Sequence, residues 1–220
     1  MALQFQLRSG SLHQMAMLNT PMFGAAAPQT FLNLMRALRP DPEKMKAFKE
    51  SHPDNLAQAQ YLAANNPPVS YANSSYWGIH TFKFVGAGDK TTLVRWRFVP
   101  QDGEKRLSDE ELKSAGANFL EPALISRTQQ GPVRWDMMVT IGQAGDPENN
   151  PTLAWPDGRQ EIKAGTLSLS AAMPQKGGAC EPINYDPLVM ADGIAPTDDP
   201  VLKFRSPAYA VSFGKRLSGN

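Results

Sequence analysis

From Tyr76 to Val99 the chain reads YWGIHTFKFVGAGDKTTLVRWRFV. Ser75 to Val85 and Thr91 to Val99 are rich in aromatic and β-branched residues, and Gly86-Ala87-Gly88 lies between them. Two strands joined by a glycine turn read as a β-hairpin. Alternation sets Trp77, Ile79 and Thr81 on one face and Tyr76, Gly78, His80 and Phe82 on the other. A histidine in mid-strand reads first as a hydrogen-bonded core residue. Its functional reading is a partner in a polar network beside a cofactor.

Working outward, the N-terminal stretch repeats the pattern. Leu3, Phe5 and Leu7 alternate with Ala2, Gln4 and Gln6, Arg8-Ser9-Gly10 is a turn, and Leu12 to Leu18 is extended again, which predicts a second hairpin. Between the hairpins three helices are predicted. Pro28 to Arg39 carries Phe31, Leu34, Met35 and Leu38 at helical spacing and stops at Pro40; Pro42 to His52 and Pro53 to Asn65 follow. Beyond the central hairpin, Ser108-Asp109-Glu110-Glu111 is a capping box, with a further helix before Gly131. Val133 to Ile141 is a strand with one mostly polar face, Gly145 to Trp155 a polar loop, and Glu161 to Ala171 another strand. Residues 174–200, rich in Pro, Gly and Asp, show little periodicity and read as a wrapping segment. VLKFRSPAYAVSFGKRL, residues 201–217, reads as a helix. Six strands with several helices predict one α+β domain over residues 1–220, an antiparallel sheet or partial barrel with helical insertions.

Composition narrows the function. Twenty-two Lys and Arg against 21 Asp and Glu leave a net charge of +1, which does not support a nucleic-acid binder. The sequence is 41% hydrophobic and 20% charged, as in folded globular chains, and no apolar run reaches the ~20 residues of a membrane span. The single cysteine, Cys180, excludes an intrachain disulfide framework and a thiolate metal cage. No phosphate loop, dinucleotide fingerprint, zinc-protease motif or nucleophile elbow is present. Asp109-Glu110-Glu111 and Asp198-Asp199 are explained by helix starts and an Asp-Pro turn. No secretory pattern opens the chain; cytoplasmic is the expectation for the chain as it stands, and periplasmic if a signal precedes it.

One pair carries chemistry. Arg205 and Tyr209 are four residues apart and share a helix face. A guanidinium within reach favours the phenolate form of tyrosine, and a phenolate is an axial ligand for haem iron. The plain alternative is a tyrosine stacked on an arginine. Pro207 leaves two geometries: it begins the helix with Ser206 as cap, placing Tyr209 in the dipole-favoured first turn, or it kinks a helix that starts at Asp199-Pro200.

NTPMF at 19–23, YWGIHTFKF at 76–84 and RSPAYAVSFGKRL at 205–217 resemble, in order and spacing, the core of the haem catalase family, and in particular its short branch, the catalase-related peroxidases. The resemblance covers essentially the whole chain, and MALQFQLRSGSLHQMAMLNTPMF is similar to the family's third and fourth barrel strands. It implies a catalase-like antiparallel barrel, incomplete at about six strands, with a C-terminal haem-ligating helix. It implies haem b as cofactor and reduction of hydrogen or organic peroxide with a small organic donor, with no nucleic acid or membrane partner; homo-oligomerisation is an open expectation. Residue by residue, it implies that Tyr209 ligates the iron, Arg205 keeps that phenol ionised, and His80 and Asp199 extend the same charge network. Arg216 would pair with a haem propionate, and Phe23 would line the pocket.

The sequence departs from the family at the opposite haem face. The family's catalytic histidine lies on a segment before the strand at which this chain begins, and neither His13 nor His52 sits in its motif. The family's distal asparagine is the first of a pair before Thr-Pro. Strict register puts Leu18 there, and Asn19 takes the role only if the backbone shifts. The expectation is a chain truncated relative to the family, with impaired peroxide turnover. A non-catalytic haem-binding remnant and a non-haem barrel for an apolar ligand are the alternatives.

Overall fold

The computed structural model describes residues 1–38 and 41–219. Seven strands and six α-helices form among them. Strands β1 (Ala2–Gln6) and β2 (Leu12–Ala16) make the predicted N-terminal hairpin, with Phe5 opposite His13 and Leu3 opposite Met15. Helices α1 (Pro28–Ala37), α2 (Pro42–Ser51) and α3 (Leu56–Ala64) follow, the last entered through a short 3-10 turn at Pro53–Asn55. The expected end of the first helix at Arg39 and its stop at Pro40 lie outside the described residues. Asp41 caps α2 by accepting from the Lys44 amide.

Strands β3 (Tyr76–Val85) and β4 (Thr91–Pro100) form the central hairpin. Helix α4 (Asp109–Ser114) carries the complete Ser108–Glu111 capping box, and α5 (Leu120–Gln129) leads to β5 (Val133–Ile141) and β6 (Glu161–Leu169). All five strands of the main sheet run antiparallel in the order β6-β5-β4-β3-β7. The seventh strand, β7 (Ile194–Pro196), pairs with β3 at Phe82–Phe84 inside the segment expected to wrap without structure. Three residues are too few to show alternation, and Pro196 fits only an edge. The sheet is open: the β1–β2 pair forms a separate ladder, and no closed barrel forms among the described residues.

The main core lies between the hairpin and the sheet. Met15 and Met17 pack with Tyr76, Phe82, Val94, Trp96, Phe98, Val133, Trp135, Val139 and Leu202. Phe82 stacks on Trp96 at 4.1 Å. Gly78 permits this, because a Cβ there would lie 2.3 Å from Trp96 Nε1. The β3–β4 register breaks between Gly78 and Phe82. His80 sits within that break, so simple alternation from Tyr76 does not set its direction.

Helix α6 (Pro200–Ser218) starts at Pro200 and ends against Gly219, whose φ of 71° a side chain would resist. Proline suits the first helical position, and Asp199 supplies the cap. Pro207 therefore lies inside the helix and does not begin it. Tyr209 stands beyond the first turn, so the dipole argument does not apply to it.

Candidate functional site

Three elements meet around α6. Buried Val201 and Leu202 anchor its first turn. Asp199, fully buried, divides its carboxylate between two tasks. Oδ1 accepts from the Val201 and Leu202 amides at 2.8 and 3.2 Å, and Oδ2 lies 2.7 Å from His80 Nδ1. Burial pushes the His80 imidazole below the ordinary histidine range; the Asp199 contact opposes this, and the Arg205 and Arg95 cations reinforce it. A neutral ring donates from Nδ1 to the carboxylate, which leaves Nε2 a buried acceptor without a partner among the described residues.

One turn further, Arg205 reaches the Tyr209 phenol with two groups. Nη2 lies 2.6 Å and Nε 3.1 Å from Oη, and the guanidinium carbon is 5.1 Å from the ring centroid. Nη1 extends to the Ala16 carbonyl of β2 at 3.4 Å, which ties α6 to the N-terminal hairpin. Asp186 Oδ2 accepts from Ser206 Oγ at 2.5 Å and holds the wrapping segment against the helix beside Pro207.

Tyr209 opens onto a cavity of about 740 Å³. Ala2, Leu124, Leu169, Ile183, Tyr185 and Arg216 help to line it. Arg216 lies on the rim, with its donors 3.3 and 3.5 Å from the Glu181 and Ile183 carbonyls. The second phenol in the cavity differs in character. Burial and contact with the Cys180 thiol push Tyr185 up to about 12, so it stays protonated. Of the two phenols lining this cavity, Tyr209 is the one with a guanidinium on its oxygen.

The structure thus brings Arg205, Tyr209 and Arg216 together, with His80 and Asp199 bracing the helix start. Asn19 and Phe23 stand apart. Asn19 is exposed and lines a separate cavity of about 470 Å³ with Leu18, Tyr61, Tyr71, Tyr76 and Arg106. The Leu18 backbone is fixed by paired bonds to Trp77 at 3.0 and 2.7 Å. Phe23 packs on Phe31 at 5.0 Å. Adjacent residues at the start of the chain line the two cavities, Ala2 the one and Met1 the other.

The sequence reading missed the residues that shape the Thr20–Ala26 loop. Asp54 accepts from the Ala26 amide at 2.9 Å, Asn55 donates to the Gly24 carbonyl at 2.9 Å, and Gln58 donates to Met22 at 3.1 Å. Asn55 is buried at the start of α3, and nothing in the local sequence pattern marks it.

The Catalase family model matches residues 1–220, and the chain belongs to the catalase family. That places it among the peroxidase and catalase-related oxidoreductases, a class that implies haem. The chain is 59% identical over 226 residues to the catalase-related peroxidase of Synechococcus elongatus, covering all of this chain and 67% of that protein. It is 32% identical over 216 residues to the catalase-related peroxidase of Mycolicibacterium paratuberculosis, covering 96% of this chain and 69% of that protein. A solved bacterial catalase superposes with a TM-score of 0.84 at 23% identity, over 96% of this chain and 45% of that one. A fungal catalase gives 0.86 at 20% identity, over 96% and 46%. The chain therefore spans about two thirds of these peroxidases and under half of these catalases.

Proposed function

We propose that this chain holds haem b through Tyr209 and serves a peroxidase that reduces hydrogen or organic peroxide with a small organic donor. The observation that carries the reading is the Tyr209 oxygen, which receives two guanidinium donors on the wall of the 740 Å³ cavity. That volume lies within the ~300–1,000 Å³ of small-molecule sites. A phenol oxygen with charge-assisted donors on one side and open space on the other suits an anionic oxygen ligand for ferric iron.

Bound there, haem supplies a redox-active iron centre that peroxide can reach. The chain's own residues do the rest. Arg205 orients the phenol and supplies a balancing positive charge. Arg216, only loosely held by two carbonyls, is placed to pair with a propionate. The His80–Asp199 contact fixes the start of the helix from which both arginines project. Asn19 or Leu18, on the wall of the separate 470 Å³ cavity, would be the residue that orients peroxide.

A second reading, haem binding without efficient turnover, is favoured by where the three histidines sit. His80 is engaged by Asp199, His13 is wedged between Phe5 and Trp96, and His52 stacks on Phe48. None of them lines the Tyr209 cavity or the Asn19 cavity. General acid–base help is worth on the order of 10²–10⁴-fold. The 220-residue chain should therefore oxidise a peroxidase dye slower than the Synechococcus elongatus relative by that order.

The test is hemin titration of the purified chain. A Soret band and a phenolate-to-iron charge-transfer band should form, vanish in Tyr209→Phe, and persist in Tyr185→Phe. A chain that stays colourless, or a Tyr209→Phe variant with an unchanged spectrum, overturns the proposal. Peroxide turnover matching the relative's would reject the impairment alone.

A further inference from the structure

Arg95, on β4, lies outside the Arg205–Tyr209 pair, yet it organises the ground on which α6 begins. Its Nε donates to Thr81 Oγ1 at 2.9 Å, Nη1 to the Leu153 carbonyl at 2.8 Å and Nη2 to the Pro147 carbonyl at 3.0 Å. Its guanidinium carbon sits 4.8 Å over the Trp155 ring, whose Nε1 also donates to Pro147 at 2.9 Å. One planar fork therefore ties β3 to the loop after β5. A guanidinium spreads its donors over three nitrogens in one plane, whereas an ammonium offers its three donors from a single point.

The junction has a third arm. Thr197, directly after β7, lies with its hydroxyl 3.2 Å from the Thr81 carbonyl and 3.0 Å from the Glu148 carbonyl. Thr81 and Thr197 are each 1% exposed. Thr81 is the neighbour of His80, and Thr197 stands two residues before Asp199. The same threonine pair thus sets the spacing between the two partners of the His80–Asp199 contact. Arg95 also adds a positive charge that acts on that pair from the sheet side, while Arg205 acts from the helix side. Burial holds the Arg95 guanidinium down to about 10, so it remains charged near neutrality.

We propose that Arg95 is a positioning residue for the helix that carries Tyr209: through Thr81 and Thr197 it fixes where α6 starts and how it is aimed. This rests on the reading of Tyr209 as the iron ligand for its consequence, but the mechanical coupling stands independently of haem. Arg97 supplies the control. It lies two residues along the same strand and carries the same charge, but it pairs with Glu161 at 2.8 and 3.2 Å and, among the described residues, makes no hydrogen bond to the junction.

The experiment compares Arg95→Gln, Arg95→Lys, Thr197→Val and Arg97→Gln. Amide hydrogen exchange at Val201 and Leu202 is measured in the haem-free chain, and the charge-transfer band after hemin addition. Arg95→Gln and Thr197→Val should speed exchange in that first turn by about tenfold or more, and Arg95→Lys should fall between them and wild type. The band should shift in the same three variants and stay in place in Arg97→Gln. The proposal is overturned if Arg95→Gln only lowers the melting temperature and leaves first-turn exchange as in Arg97→Gln. Should Arg95→Gln fail to fold, unchanged exchange in both Arg95→Lys and Thr197→Val overturns it. A wild-type chain that takes up no hemin would sink the reading of the site, while the exchange data still decide the coupling.

Discussion

Asp199 is the most informative position to perturb, because two substitutions there separate its two tasks. Asp199→Ala removes the acceptor for the Val201 and Leu202 amides and for His80 Nδ1. Loss of a helix cap costs about 0.5–2 kcal/mol. A buried ring N–H left without a partner costs about 1–3 kcal/mol. The sum is roughly 1.5–5 kcal/mol. At about 2–4 °C per kcal/mol for a chain of this size, the midpoint of thermal unfolding should fall by roughly 10 °C. Asp199→Asn keeps the capping oxygen and turns its amide toward His80. The imidazole can then accept at Nδ1, which moves its proton to Nε2, where no protein acceptor stands. That variant should recover about 1 kcal/mol of the loss, or roughly 3 °C. Circular-dichroism melts and urea titrations at pH 7 provide the comparison. The reasoning fails if Asp199→Ala melts with the wild type, or if Asp199→Asn is the less stable of the two.

Other outcomes follow from the same geometry. Gly78→Ala places a methyl against the Trp96 ring, and overpacking of this kind should cost about 1–3 kcal/mol, read as a lower urea midpoint. Pro207→Ala restores an amide for the Lys203 carbonyl and relieves ring crowding; the thermal midpoint should rise, and a fall would refute that argument. Burial pushes both His13 and His80 below the ordinary histidine value. The unfolded chain therefore binds protons below pH ~6.5 that the folded chain does not, and stability should be full above that pH and decline as pH falls toward 5, by at most about 1.4 kcal/mol per pH unit for each histidine. His13→Gln should flatten this slope in urea titrations; an undiminished decline between pH 7 and 5 would refute the assignment.

Much of the fold was legible because it rests on local pattern. The alternation in Ala2–Gln6 and Val133–Ile141 and the Ser108 capping box each named their element. The Arg205–Tyr209 contact followed from helical spacing alone. What the sequence hid depends on distant partners. β7 exists because β3 offers an edge, not because Ile194-Ala195-Pro196 has strand character. The start of α6 at Pro200 was one of two readings, and the Asp199 that caps it there is held by His80, 119 positions away from that carboxylate. Arg95, Asn55 and Gln58 matter through bonds to loop carbonyls, which no spacing rule reveals. The separation of Asn19 from the Tyr209 cavity likewise depends on how the first hairpin seats against α6 and α5.

The long span between His80 and Asp199 also has a consequence in time. During synthesis at about 5–20 residues per second, the histidine leaves the ribosome roughly 6–24 s before its carboxylate. For that interval the central hairpin carries an imidazole with no counterpart, and β3 lacks its outer neighbour. Helix α6 thus joins the sheet only after Asp199 has emerged, and a nascent chain caught before that point would present an unfinished sheet to whatever guards it.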